Sequence, residues 1–150
     1  FLFLHADSRL EKTCVKSILE IIKNKKSEKF AWYFDFKVKK NDLEFRILEI
    51  AVALRSYFLQ LPYGDQGLLI HKDLYFSSGG FSSLKIMEDI DLITRINKKT
   101  KVKRIKEQIY TDDIKWSNSN IIKRAIKNAK LRKKWRQGCD IEMLSKEYNS

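Results

Sequence analysis

Cysteine is nearly absent from this chain, with only Cys14 and Cys139 among 150 residues. Their separation fits no metal-ligand spacing, which excludes a zinc finger or similar cysteine-based module. With no secretory context either, they read as two reduced, structurally incidental thiols in a cytoplasmic protein. Long apolar runs are missing too, and no stretch approaches the ~20 residues of a membrane-spanning helix. The opening Phe1-Leu2-Phe3-Leu4 has no basic region before it and is cut short by Asp7 and Arg9, so it is not a signal peptide. It reads as a buried strand, and a chain that opens on such a strand with Phe rather than Met is expected to lack its N-terminal part. The sequence has no internal repeat and no low-complexity segment. Proline occurs once, at Pro62, and glycine five times, which concentrates the turn chemistry at 62–67, 79–80 and 138.

Lysine and arginine, by contrast, are abundant, and the net charge is +12. Residues 97–136 hold 15 Lys and Arg against Glu107, Asp112 and Asp113, so this block carries the whole excess and the remainder is neutral. Such a block suits an anionic partner (lipid headgroups, nucleotide phosphates or nucleic acid), or it is simply a solvated helix face. A basic nucleic-acid-binding module is the rival reading, supported by Trp116 and Trp135, but neither zinc-finger spacing nor an aromatic-glycine RNA-binding signature is present.

Hydrophobic periodicity predicts one α/β domain over 1–150. Phe1–Leu4 reads as a strand and His5–Ser8 as a loop. Val15, Ile18, Leu19 and Ile22 then mark one face of a helix. The aromatic run within Lys29–Val38 predicts a strand. Asn41 and Glu44 have the spacing of a capping box, and Leu43, Ile47, Ile50, Ala51, Leu54 and Phe58 form the expected buried stripe of a helix over 42–59. After the Pro62–Gly67 loop come a short strand at 68–70, a short helix at 72–77 and a Gly79-Gly80-Phe81 turn. A helix starting at Glu88-Asp89 with Ile90, Ile93 and Ile96 inward follows, then a strand at 102–110. The basic helix from Ser119 is expected to turn Ile122, Ala125, Ile126 and Ala129 inward, and Gly138 separates it from a short helix through Leu144.

Three acidic loci, Asp7, Asp65 and the Glu88-Asp89-Asp91 cluster, fall at a strand end, in a glycine-bounded loop and at a helix start. Each alone has an ordinary explanation: a helix cap, a turn, or a complement to the helix dipole. Their order and spacing point further. Leu2 to Leu10, Leu61-Pro62-Tyr63-Gly64-Asp65-Gln66-Gly67-Leu68, Gly79-Gly80-Phe81 and Met87 to Leu92 together resemble the family-two glycosyltransferases. The likeness is nearest to a bacterial subgroup associated with arsenosugar biosynthesis or radical-SAM enzymes, and it extends over nearly the whole chain.

The resemblance implies the C-terminal, acceptor-side half of a GT-A fold, with a mixed sheet flanked by helices and the N-terminal nucleotide-binding half missing. It implies inverting transfer from a nucleotide-diphosphate sugar to an acceptor hydroxyl. Asp89 matches the base that deprotonates the acceptor, with Glu88 orienting the site. Asp7 matches the last acid of the Asp-x-Asp metal motif and would hold Mg²⁺ or Mn²⁺, with His5 in the motif's first position. Gly64, Asp65, Gln66 and Gly67 would line the substrate pocket. A hard divalent cation needs only one or two protein carboxylates when phosphate oxygens and waters complete its shell, which is why one aspartate suffices. The C-terminal part departs from the family: Lys115-Trp116-Ser117 keeps a tryptophan without the usual acid, and residues 123–136 are cationic where an apolar helix is usual. An amphipathic basic helix could still lie on anionic lipid, placing the protein peripherally on the inner face of the membrane. An inactive remnant serving as an interaction domain is the remaining alternative.

Overall fold

A computed structural model describes residues 1–111 and 121–149, so the expectations for Lys115-Trp116-Ser117 and Ser119 lie outside the described residues. Ala31–Val38 forms the central strand, β3, where five of eight side chains are buried and the aromatics supply most of the packing volume. Around it lie β1 (Leu2–Phe3), β2 (Ser8–Leu10), β4 (Leu68–Ile70) and β5 (Val102–Thr111). Among the described residues the sheet order is β1-β4-β3-β5-β2, with β3 and β5 parallel and every other pair antiparallel. Ser8, expected in a loop, opens β2, which pairs with Ile109–Thr111 and ends the sheet on that side.

This order places β1 and β2 at opposite edges, although only residues 4–7 join them. Four inter-strand steps in a flat sheet would separate them by about 19 Å. Five residue steps span at most about 18 Å fully extended, and the link is not extended, because Ser8 N–H donates back to the His5 carbonyl. The sheet therefore curls. A bulge contributes: Phe34 pairs with Ile105 but Asp35 with Gln108, so Lys106 and Glu107 are extra residues that bend β5.

Six helices cover the curled sheet among the described residues: α1 (Lys12–Lys23), α2 (Leu43–Leu59), α3 (Lys72–Ser77), α4 (Glu88–Asn97), α5 (Ile121–Arg136) and α6 (Ile141–Asn149). Helix α4 packs Leu92, Ile93 and Ile96 against Ala31, Tyr33, Ile70 and Val102. Helix α1 adds Cys14, Ile18 and Ile21 to Phe34, Leu69, Ile105 and Ile109. Helix α2 meets Phe36 and Val38 through Phe45, Leu48 and Val52, with Ala125 of α5 beside them. None of these helices is long and apolar enough to cross a membrane.

Three local expectations are corrected. The stripe expected inside on α2 is outside: Leu43, Ile47, Ile50, Leu54 and Phe58 are exposed, Leu43 at 75%. The buried stripe instead includes Glu49, 7% exposed, which accepts from Val38 N–H (3.0 Å) and pairs with Lys37 and Arg46 at 2.7 Å. Glu49 thereby ties α2 to the end of β3. On α1, Val15, Leu19 and Ile22 are likewise exposed while Cys14 is buried. The α2 N-cap is Asp42 without a side-chain cap bond, so the Asn41–Glu44 capping box does not form.

Candidate active site

The link between β1 and β2, the loop before β4 and the start of α4 meet at one place. Helix α2 ends when Gln60 enters the left-handed region at φ 53°, Pro62 follows, and Gly64–Gln66 makes a single 3-10 turn. Gly64 N–H donates to Asp89 Oδ2 at 2.8 Å, and Ile90 N–H donates to Asp89 Oδ1 at 2.7 Å. Two backbone dipoles thus hold the carboxylate at the α4 N-terminus, where the helix dipole favours negative charge. A carboxylate has about four acceptor positions, so capacity remains for a substrate hydroxyl.

Glycine at 64 leaves room for the His5 ring. A Cβ there would sit 3.1 Å from His5 Cδ2 and 3.4 Å from Asp89 Oδ2. His5 Nδ1 lies 3.2 Å from Asp7 Oδ1, so the link brings an imidazole and a second carboxylate to the same opening. Just before Asp89, Met87 adopts φ 67°. A non-glycine residue in that conformation costs on the order of 1–3 kcal/mol, and such strain concentrates at functional sites. Sequence patterning carries no sign of it.

Two cavities open beside Asp89. The first, about 210 Å³, is lined by His5, Gly64, Gly67, Glu88 and Asp89 and walled by apolar side chains including Phe3 and Phe81. The second, about 260 Å³, also has His5, Tyr63, Glu88 and Asp89 in its wall, and adds Lys85, Asn128, Arg132 and Tyr148 beside the apolar Ile86, Met87 and Ile90. Of the residues singled out from sequence, His5, Gly64, Gly67, Glu88 and Asp89 therefore share one opening, and Asp7 adjoins it through His5.

Asp65 and Gln66 are placed differently. Asp65 lines a third cavity, about 380 Å³, between α2 and α5, together with Arg55 and Arg132. Its Oδ1 is buried without a hydrogen-bond partner. Burial pushes its carboxyl pKa up, and the charges of Asp89 and Asp7 push the same way against Arg55 and His5. Gln66 is a structural tether, 1% exposed: its Oε1 accepts from Arg55 (2.9 Å) and Ser56 (2.6 Å), and its amide donates to the Phe34 carbonyl at 3.3 Å. It holds the loop that carries Gly64 and lines none of these cavities.

Arginines behind the loop complete the setting. Arg55 lies over the Tyr63 ring at 3.4 Å, and Arg132 of α5 approaches the same ring at 4.9 Å. Burial lowers the pKa of both guanidiniums. Arg132 was hidden in the sequence by the lysines and arginines around it. Its spacing of four residues from Asn128 is the available signal, because it continues the side of α5 that carries Ala125 and Asn128, whereas Ile126 and Ala129, expected inward, are exposed.

Among the described residues no three His, Cys, Asp or Glu side chains are grouped to hold a metal ion. Asp7 and His5 offer at most a two-residue donor set, which suits only a cation that keeps waters and takes its remaining ligands from a substrate. No protein-family model and no curated protein matches this chain.

Proposed function

We propose that this chain is the acceptor-side, catalytic region of a GT-A glycosyltransferase that transfers a sugar, with inversion, from a nucleotide-diphosphate donor to a hydroxyl acceptor. The observation that carries the reading is Asp89: a carboxylate held by two backbone N–H groups at a helix start, opening onto two cavities, with His5 and Asp7 alongside. That is the setting a general base requires, since it must be fixed and within reach of a hydroxyl. The motif order described from sequence supplies the reaction class.

In this reading Asp89 accepts the acceptor's proton as the hydroxyl oxygen forms its bond to the anomeric carbon, and the bond to the diphosphate breaks on the opposite face. Glu88 borders both cavities and orients the acceptor. Gly64 and Gly67 line the first cavity beside it. Asp7, with His5, would hold Mg²⁺ or Mn²⁺. When bound, such an ion neutralises charge on the departing diphosphate.

The test is made in the gene product that carries this chain. Asp89→Asn keeps shape and should lower the sugar-transfer rate by about 10²–10⁴-fold with donor affinity retained. Asp7→Asn should instead weaken donor affinity and rate together, and added Mn²⁺ should restore part of both. The measurement is transfer rate and donor affinity across a metal titration. Near-normal turnover in Asp89→Asn would end the assignment of this residue as base.

A further inference from the structure

The chamber beside Asp89 holds two cations, Arg132 and Lys85, next to Glu88 and Asp89, and the reaction so far described gives neither cation a role. Arg132 projects from α5 into it, lines the two neighbouring cavities as well, and has the Tyr63 ring as its contact. Among the described residues its guanidinium makes no ion pair and no hydrogen bond. Arg55 and Arg136 add like charge around it, which Asp89 only partly offsets. Partial burial of a cation without an acid partner is unfavourable, so the arrangement suits an anion that arrives with a ligand. Lys85 lines the same chamber, positioned by its bond to Glu142 of α6 at 2.5 Å, and Asn128 and Tyr148 add hydrogen-bonding groups. At about 260 Å³ the chamber has room for several waters, each taking about 30 Å³ in the liquid. A phosphoryl group with its oxygens fits that space, and a planar guanidinium fork matches phosphate oxygens two at a time.

We propose that Arg132, with Lys85, forms a phosphate subsite beside Asp89, so that the substrate brings a phosphoryl group into this chamber. The subsite rests on the reading of Asp89 as the reaction centre. Part of the basic block is thereby assigned to the site rather than to the surface. The phosphoryl group belongs either to the donor diphosphate or to a phosphorylated acceptor.

Calorimetric titration of the gene product with inorganic pyrophosphate and, separately, glycerol phosphate tests this, with chelator present so that no metal contributes. Wild type should bind at least one probe, and Arg132→Gln should weaken that binding by about tenfold or more. Arg132→Lys, which keeps the charge but loses the fork, should fall between them and serves in place of Arg132→Gln if that variant does not fold. Lys130→Gln makes the same charge change at an exposed position of α5 and should leave binding within about twofold. Loss confined to pyrophosphate assigns the subsite to the donor, and loss that includes glycerol phosphate assigns it to the acceptor. Absence of binding by wild type, unchanged affinity in Arg132→Gln, or an equal loss in Lys130→Gln overturns the subsite. These readouts are independent of turnover, so the subsite and the catalytic role of Asp89 fail separately.

Discussion

Gly64 and Gly67 sit three residues apart in one loop and are glycine for different reasons. Gly67 has φ 62°, and a Cβ there would meet Ile109 Cδ1 at 2.8 Å and Leu4 Cδ2 at 3.0 Å. Gly67→Ala should therefore destabilise the fold by about 1–3 kcal/mol, read from urea denaturation. Gly64 has no such backbone requirement, and its added methyl would press on the His5 ring and approach Asp89. Gly64→Ala should leave stability within about 1 kcal/mol while shifting the His5 ring resonances in NMR spectra. Equal destabilisation by the two substitutions would refute this division of roles. Gln66, between them, had the look of a site residue from its neighbours alone, yet its amide is consumed by Arg55, Ser56 and Phe34. A loop motif indicates where a site is built, and burial decides which of its members face the ligand.

At the scale of elements, α2 and α4 show what periodicity can and cannot choose. Helix α4 has a single apolar face, and Ile90, Ile93 and Ile96 are buried as their spacing requires. Its other side holds Arg95, which donates to the Ser78 and Gly80 carbonyls, to Ser82 and to Asp91, and so clamps the glycine turn beside Phe81. Helix α2 is apolar on both sides, so its pattern leaves the inward face undetermined. Glu49 settles the matter, because only the inward face lets it reach Val38, Lys37 and Arg46. Glu49→Ala leaves the Val38 N–H buried without its acceptor and two cations without their acid. Losing one partner of a buried pair costs ~3–5 kcal/mol. Lys37 and Arg46 are about a third exposed and can turn to water, which brings the expected loss down to roughly 2–3 kcal/mol. An unchanged urea midpoint would show that α2 is held by apolar contact alone.

For the whole molecule, two aspartates should give stability opposite dependences on pH. Asp65 has a raised pKa through burial, so the folded state binds its proton more tightly than the unfolded chain. Its contribution is most favourable below the ordinary carboxylate range and is lost as pH rises through the raised value. Asp65→Asn should thus be more stable than wild type at neutral pH, with the difference shrinking in acid. Asp91 is the reverse: burial opposes its ionisation, but hydrogen bonds from Ser82 and Arg95 prevail and lower its pKa. Asp91→Asn should be less stable than wild type at neutral pH, and the deficit should vanish as pH falls through that lowered value. Urea unfolding of the three proteins from neutral pH into acid measures both trends, and parallel curves would contradict both.

Residues 68–70, 72–77 and the start at Glu88 were determined by sequence alone, because short apolar runs, glycine turns and acids at a helix start act over a few neighbouring residues. The acidic loci were legible for the same local reason. What only the tertiary structure decided are matters of long range: the curl that lets residues 4–7 join opposite edges, the inward face of α2, the separation of Asp65 from Asp89 into neighbouring cavities, and the delivery of Arg132 to a cavity beside Asp89. Each depends on contacts between residues dozens of positions apart. A period of 3.6 or 2 describes one element and carries no information about which element will lie against it.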